Sequence, residues 1–279
     1  MNVLRARDLD DALDLLAERT AGSPAIPIAG GTDLLVHWPV RPEARDLDYL
    51  DLQGLADLRG VRWSEDALEL GALASYWDVI VDRRAGAEFP LLAEAARQIG
   101  AIQIQSRGTW AGNVVNASPA ADGVPVLMAY DASVVLGARG GLREVPLDAF
   151  YTGYRESARR DDELVVAIRL PRRAHALQRF VKVGPRRAQA IAKVGLAVAR
   201  SDAGWRVVAA SVAPTVRRCP TVERLLAEGP FPRAPEDLEA ALSADVSPID
   251  DLRSTAEYRS RVLARVLFDA LRDGDRNRR

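Results

Sequence analysis

The hydrophobic and polar positions in the first part of the chain alternate between helical and strand periods. Apolar residues at helical spacing predict a first helix over residues 8–20, and the alternation over 60–71 predicts a hairpin that turns at Ser64-Glu65-Asp66. The other elements expected here are short strands over 25–29 and 48–52, a helix over 76–82 capped by Ser75, a helix from Pro90 to Gly100, a helix over 122–130, and strands over 133–137 and 163–170.

A change of pattern follows residue 171. Arg172, Arg173 and His175 mark an expected linker, and the remaining chain reads as three strands followed by three helices. The strands are expected over 179–183, 192–200 and 205–213, the helices over 221–228, 235–242 and 254–271, and a frayed charged tail over 272–279. This order predicts an α+β protein whose C-terminal domain contains a three-stranded antiparallel sheet and helices.

Composition narrows the chemistry that the chain can perform. Its 279 residues carry 38 basic and 39 acidic side chains, and this balance argues against nucleic acid or an anionic membrane as the main partner. One cysteine, Cys219, and two histidines are too few for an iron–sulfur cluster or a structural zinc site. His37 is expected to lie at the surface or to cap a helix, and Cys219 to be an inert thiol. No run has the length of a signal peptide or a membrane span, so the expectation is a soluble, cytoplasmic protein without membrane insertion.

The first candidate for a binding segment runs from Ile28 to Leu35 and contains Gly30-Gly31-Thr32-Asp33. It carries no cation, and it is neither the Gly-x-Gly-x-x-Gly nicotinamide fingerprint nor a Walker phosphate loop. Backbone N–H groups in such a loop can form an anion site, and glycine allows a phosphate to approach closely. An ordinary strand-to-helix turn capped by Thr32 or Asp33 explains the same residues.

A second stretch of small and polar residues runs from Arg107 to Asp122. We interpret it as a loop whose backbone lies close against a flat, polar partner. Asp122 could accept hydrogen bonds from a ribose or an amine, or it could cap the following helix. Two such loops could hold one diphosphate from both sides, which indicates a dinucleotide cofactor.

These segments resemble the FAD-binding (medium) subunit of the molybdenum hydroxylases, a family that includes xanthine, carbon monoxide and nicotinate dehydrogenases. The similarity extends over nearly the whole chain. It rests on Ala29-Gly30-Gly31-Thr32-Asp33-Leu34, Thr109-x-Ala111-Gly112-Asn113, Ala117-Ser118-Pro119 with Asp122, Tyr151-x-Gly153-Tyr154-Arg155, Phe180-x-Lys182 and Ile191-Ala192-Lys193-Val194. Two features depart from the family pattern, because Ala111 replaces a frequent glycine and Trp110 stands where isoleucine or valine is usual.

The resemblance implies a fold of the vanillyl-alcohol oxidase type. FAD, bound without a covalent bond, would lie between two α/β subdomains, residues 1–54 and 55–171, with a C-terminal domain over 172–279 on the flavin-ring side. It implies no catalytic acid or base and no metal ligand in this chain. The implied cofactor contacts are Pro27, Ile28, Ala29, Gly30, Gly31, Thr32, Asp33, Leu34, Ile99, Thr109, Trp110, Ala111, Gly112, Asn113, Asp122, Val165, Lys182 and Ile191.

The role of Lys182, the basic residue among these contacts, has two interpretations. It could be a lone cation that faces the flavin, or a strand lysine whose aliphatic stem is buried while its ammonium group reaches water. The family match favours the first interpretation.

The function implied by the resemblance is electron transfer within a heterotrimer. FAD in this chain would take electrons from [2Fe-2S] clusters on a small partner subunit, which receives them from a molybdopterin centre on a large one. The acceptor would be NAD+, a quinone or oxygen, and the hydroxylated substrate an N-heteroaromatic, xanthine-like compound. Two alternatives stay open: a stand-alone FAD-dependent oxidoreductase of the same fold, and a non-enzymatic α/β scaffold.

Overall fold

The computed structural model describes residues 2–20, 25–37 and 47–276 as a mixed helix and sheet protein. Its strands are β1 Asn2–Arg5, β2 Ile26–Ile28, β3 Asp48–Asp51, β4 Val61–Trp63, β5 Ala67–Gly71, β6 Ser133–Ala138, β7 Gly141–Pro146, β8 Tyr151–Gly153, β9 Glu156–Ser157, β10 Leu164–Pro171, β11 His175–Val183, β12 Val194–Ser201, β13 Gly204–Ala210 and β14 Arg217–Arg218. Its α-helices are α1 Leu9–Thr20, α2 Leu34–His37, α3 Tyr76–Val81, α4 Arg83–Glu88, α5 Pro90–Gln98, α6 Ile102–Gln105, α7 Trp110–Val115, α8 Gly123–Ala129, α9 Pro220–Glu228, α10 Glu239–Asp245 and α11 Ala256–Arg276.

The first sheet is parallel and has the order β1-β3-β2. Its central strand β3 is buried, and α1 connects β1 to β2 with Leu16 in the core. The prediction of β2, β3 and α1 is confirmed, but β1 was not predicted because four residues with a charged end carry no strand pattern. The first glycine segment begins at Ile28, the last residue of β2.

The second sheet is antiparallel, in the order β4-β5-β10-β6-β7. The hairpin of β4 and β5 turns where the sequence predicts it, and Ser75 caps α3 by accepting a hydrogen bond from the Asp78 N–H. The edge strand β7 and the small β8–β9 hairpin were not predicted. Edge position explains the miss for β7, because all of its residues are exposed or half-buried and the strand lacks a buried alternation.

The third sheet has four strands, in the order β11-β12-β13-β14, and this corrects the prediction of three. The added strand β14 is a pair of arginines, Arg217 and Arg218, beside Val208 and Ala209. Two charged residues carry no strand pattern of their own. Their strand conformation depends on pairing with β13.

The central strand β12 is buried on both faces. Leu196 and Val198 belong to a core shared with α9 and α11, whereas Ala197 and Ala199 belong to the core that contains α8. The C-terminal sheet therefore packs against α8 and the core around it as well as against its own helices.

The expected linker is shorter than predicted. His175 already begins β11, and Arg172 is anchored by an ion pair of 2.8 Å between its Nε and a carboxylate oxygen of Glu88. Two boundaries near the C-terminus also differ. The helix expected over 235–242 starts as a 3-10 turn over Pro235–Leu238 before α10, and α11 continues through the expected frayed tail to Arg276.

A buried carboxylate holds the start of β10 to β7. Arg143 donates from Nε and Nη2 to the two carboxylate oxygens of Glu163 at 2.5 and 2.8 Å, and the Arg160 N–H donates to the same carboxylate at 2.7 Å. Only 2% of the Glu163 side chain is exposed. The hydrogen bonds from Arg143 lower the pKa of Glu163, so this stabilisation is present above the ordinary glutamate pKa and is lost as the pH falls through the folded-state pKa.

We therefore expect Glu163→Gln to lower the free energy of unfolding at pH 7 by about 2 kcal/mol, since charge-assisted hydrogen bonds are lost. The difference from wild type should begin to shrink below the ordinary glutamate pKa of about 4.3, where the unfolded carboxyl becomes protonated, and should be lost as the pH falls through the lowered folded-state pKa. Urea unfolding across pH measures both effects. Glu228→Gln, an exposed glutamate, is the control, and an equal effect of the two substitutions would contradict the assignment.

Candidate cofactor site

The two glycine segments meet through their backbones. A Cβ atom built on Gly30 would lie 1.8 Å from the carbonyl oxygen of Arg107, so only glycine permits this approach. A second contact joins the same segments, because Asn116 Nδ2 donates to Asp33 Oδ1 at 3.2 Å across 83 residues of sequence. The structure therefore brings together the two segments that the sequence analysis selected.

Four consecutive N–H groups of the first segment, those of residues 30–33, have no partner among the described residues. Gly31 has a φ of +71°, and its carbonyl oxygen accepts a hydrogen bond from the Leu35 N–H at 2.9 Å. Within the described part of the chain, no hydrogen bond uses the N–H groups of Gly30, Gly31, Thr32 or Asp33. A run of such donors is the feature that the sequence predicts for an anion site.

The second segment contains a short helix, α7, where the sequence analysis predicts a loop. Thr109 caps α7, because its Oγ1 accepts from the Gly112 N–H at 3.0 Å. Trp110 and Val114, four residues apart, are both fully buried on the same face. This spacing and the capping threonine were the available signals, and the small residues between them obscured the helix.

Two buried polar atoms of α7 lack a hydrogen-bond partner among the described residues, namely Trp110 Nε1 and Asn113 Oδ1. The Asn113 oxygen has room only because position 123 is glycine, since a Cβ built on Gly123 would lie 2.7 Å from it. Burial of an unpaired polar group costs about 1–3 kcal/mol, which a polar ligand can offset. The free donors of the first segment and these unpaired atoms fit FAD, a ligand with both anionic oxygens and hydroxyl groups.

Lys182 and Asp122 form a buried ion pair. Lys182 Nζ lies 2.6 Å from Asp122 Oδ2 and donates to the carbonyl oxygen of Gln98 at 2.9 Å. The two side chains are 6% and 14% exposed. Burial raises the pKa of Asp122, and the Lys182 ammonium opposes this shift.

This pair corrects three expectations. Lys182 is not a lone cation, nor does its ammonium group reach water. Asp122 precedes α8 but caps none of its N–H groups, so its carboxylate accepts from an amine of the protein itself. The pair joins the start of α8 to β11, and so it ties the cofactor-binding part to the C-terminal sheet.

The other predicted contact residues are more widely distributed. Ile99 follows Gln98 at the end of α5, beside the Lys182 contact. Val165 is buried within β10, and Ile191, 53% exposed, precedes β12. Contact of Val165 and Ile191 with the cofactor remains a prediction. The side chain of His37 lies outside the described residues, and burial raises the pKa of the Cys219 thiol, which keeps it protonated.

Two residues next to predicted contacts, Lys193 and Ser211, were not named as contacts by the sequence analysis, although Lys193 belongs to one of its motifs. Lys193 precedes β12, and its N–H donates to Val183 at 2.7 Å, which closes the segment between β11 and β12. A compositional signal was present, because Lys182 and Lys193 are the only lysines among the 38 basic residues of the chain. Ser211, which follows β13, carried no such signal, since its role depends on contacts with distant segments.

Comparison with known families agrees with this geometry. Residues 1–173 match the model of the FAD-binding domain in molybdopterin dehydrogenase, and residues 179–273 match the model of the carbon monoxide dehydrogenase flavoprotein C-terminal domain. The chain belongs to the molybdopterin dehydrogenase FAD-binding family. Membership confirms the resemblance and the prediction that FAD is the cofactor.

Individual members of the molybdopterin dehydrogenase FAD-binding family match over most of their length. The xanthine dehydrogenase FAD-binding subunit of Escherichia coli O157:H7 is 31% identical over 264 residues, which are 91% of this chain and 89% of that protein. The carbon monoxide dehydrogenase medium chain of Hydrogenophaga pseudoflava is 30% identical over 271 residues, 95% and 93% of the two chains. The solved carbon monoxide dehydrogenase of the same organism superposes with a TM-score of 0.88 at 30% identity, covering 98% and 96%. The predicted oxidoreductase class is confirmed, because these relatives are dehydrogenase components. Among the described helices, none combines the length and apolarity needed to cross a bilayer.

The backbone contact between the segments generates a test with one added methyl group. Gly30→Ala should push Gly30 and Arg107 apart and reduce bound FAD to less than about a tenth, because overpacking at a rigid contact costs about 1–3 kcal/mol and displaces the free N–H groups. Gly86→Ala is the matched control, since a Cβ there meets nothing within 4 Å. The measurement is the flavin absorbance per chain after dialysis. Equal flavin content in the two variants would show that the contact does not shape the site.

Proposed function

We propose that this protein is the FAD-carrying electron-transfer subunit of a multi-subunit molybdenum hydroxylase. The observation that carries the proposal is the meeting of Gly30 with Arg107, which places free N–H donors beside a helix with an unpaired Asn113 oxygen. FAD, when bound, supplies the redox chemistry. The protein's part is to hold it, to exclude water and to set the charge around it.

The proposal assigns a role to each group of residues in the site. The N–H groups of residues 30–33 would donate to the diphosphate oxygens, and Asn113 Oδ1 would accept from a hydroxyl group. The Lys182–Asp122 pair would lie toward the flavin ring, with Ile99, Val165 and Ile191 as apolar contacts. This corresponds to a grip of the vanillyl-alcohol oxidase type by subdomains 1–54 and 55–171, with the C-terminal domain 172–279 on the ring side.

The proposed route by which electrons reach this chain passes through partner subunits, because the chain has few residues that could bind a metal cluster. The sequence contains one cysteine, and within the described residues no group of three or more His, Cys, Asp or Glu side chains could hold a metal ion. In the proposed route, electrons enter from [2Fe-2S] clusters of a small subunit, supplied by a molybdopterin-bearing large subunit. The names of the relatives, which are subunits and medium chains, support partners of this kind.

The proposal also includes a substrate and an electron acceptor for the whole complex. A xanthine-like N-heteroaromatic compound would be hydroxylated on the large subunit, as the name of the xanthine dehydrogenase relative suggests. NAD+, a quinone or oxygen would receive the electrons. A cytoplasmic heterotrimer belongs to the same proposal.

If this assignment is right, the isolated FAD-loaded subunit should not be reduced by the substrate of the complex. We expect no bleaching of the flavin absorbance when xanthine and related N-heterocycles are mixed with it anaerobically, and rapid bleaching once the iron–sulfur and molybdenum subunits are added. Chemical reduction by dithionite is the control that the flavin is competent. Rapid bleaching without partners would replace this proposal with a stand-alone oxidoreductase.

The buried ion pair provides a second test. Lys182→Met leaves the Asp122 carboxylate buried without its counter-ion, which costs about 3–5 kcal/mol of unfolding free energy. It should also make bound flavin harder to reduce, because an uncompensated negative charge disfavours added electrons. The measurements are urea unfolding and the flavin midpoint potential.

The chain offers a matched control for this variant, because Lys193 is its other lysine. Lys193 Nζ lies 5.4 Å from the ring centroid of Tyr258, an interaction of about 0.5–1 kcal/mol, so Lys193→Met should have a small effect. The double variant Lys182→Met with Asp122→Asn should recover stability, since both charges are removed. An unchanged midpoint potential in Lys182→Met would remove the pair from the proposed flavin side.

A further inference from the structure

We infer that Ser211 is a positioning residue that holds the Ile191 segment against the Asp122 segment and so fixes the two walls of the cofactor site relative to each other. The inference rests on the proposed function, because only the proposed FAD site makes these two segments the walls of a binding site. Ser211 follows β13 and is only 8% exposed. It belongs to neither glycine segment and to no family motif found in the sequence.

Ser211 uses all three of its polar groups in bonds to different parts of the chain. Its N–H donates to the Pro119 carbonyl oxygen at 2.7 Å, and its Oγ donates to the Ala192 carbonyl oxygen at 3.0 Å. Its own carbonyl oxygen accepts from Arg259 Nη1 at 2.6 Å. Three segments that are distant in sequence are therefore joined at one residue.

Two of these bonds end beside predicted cofactor contacts. Pro119 lies three residues before Asp122, and Ala192 directly follows Ile191. Displacement of either carbonyl would move the corresponding wall. The position of Ser211 between the two carbonyl oxygens thus sets the separation of the walls.

Arg259, on α11, locks this arrangement from the other side. Its Nη1 also donates to the Lys193 carbonyl oxygen at 3.0 Å, and its Nη2 pairs with Asp251 Oδ1 at 2.7 Å. One buried guanidinium group therefore holds both the Ser211 carbonyl and the segment next to Ile191. Its Nε has no hydrogen-bond partner among the described residues. The bonds from Nη1 and Nη2 therefore orient the guanidinium group, and the Nε–H stays unpaired.

The backbone of Ser211 is also unusual, with a φ of +66°. This left-handed region favours glycine, and a residue with a Cβ atom persists there only when its surroundings hold it. Glycine would serve if the turn alone mattered. The hydroxyl bond to Ala192 is the contact that glycine cannot make.

The test compares Ser211→Ala and Ser211→Gly with Ser201→Ala in the full chain. Ser201 lies at the opposite end of the β12–β13 hairpin, where its hydroxyl accepts a local hydrogen bond from the Ala203 N–H. We measure the FAD dissociation constant by titration of the apoprotein, the visible circular dichroism of the bound flavin, and the Tm of the apoprotein. Both Ser211 variants should raise the dissociation constant about three- to tenfold, which corresponds to one lost hydrogen bond, and should alter the circular dichroism.

Ser201→Ala should leave the dissociation constant and the circular dichroism as in wild type. Arg259→Lys, whose single ammonium cannot serve the same three acceptors in one plane, should raise the dissociation constant by a similar factor. This variant keeps the inference testable if the Ser211 variants fold poorly.

Three results would overturn the inference. A lower Tm in Ser211→Ala with wild-type FAD binding and circular dichroism would make the residue merely structural. Normal binding by Ser211→Gly alone would assign the effect to backbone strain and not to the hydroxyl. Wild-type protein that binds no FAD would overturn the proposed site and this inference together, whereas wild-type binding with unaffected variants overturns the inference only.

Discussion

The contact of Gly30 with the Arg107 carbonyl is the constraint on which the cofactor site depends. It joins the end of a parallel sheet to a segment anchored by a different part of the fold, where the Tyr76 N–H donates to Gly108 and the Trp110 N–H donates to Ala74. Both sides of the contact are backbone, so neither can yield by a change of rotamer. This contact and the Asn116–Asp33 hydrogen bond hold the N–H groups of residues 30–33 near α7, the helix that carries the unpaired Asn113 oxygen.

The charged side chains Lys182 and Asp122 of the site form an ion pair and do not leave a net charge there. The predicted lone cation is neutralised by Asp122, and the pair is nearly inaccessible to water. In a low-dielectric environment, removal of either partner is therefore felt strongly by any charged neighbour. The pair also spans α8 and β11, so the electrostatics of the site depend on how the C-terminal sheet is seated. The contacts of Ser211 control the same junction by hydrogen bonds.

Sequence patterns were sufficient wherever local chemistry decides the structure. The β4–β5 hairpin, the Ser75 cap and the turn at Gly30-Gly31 follow from turn residues, capping residues and small residues that lie next to one another. Sequence patterns failed to predict structure where contacts with a segment distant in sequence determine the conformation. Strand β14 exists because of β13, and the Lys182 ammonium is buried because Asp122 meets it. In α7, the helical spacing of Trp110 and Val114 was hidden among residues typical of a loop.

Burial of β12 on both faces has a consequence for how this chain folds. Ala197 and Ala199 find their packing partners in the cofactor-binding part, so a C-terminal fragment expressed alone would present an apolar sheet face to water. Such a fragment would be prone to associate with other copies through that face. We therefore expect the two family modules to unfold together, and a chimaera between relatives would have to exchange the sheet together with α8 to keep a matched interface.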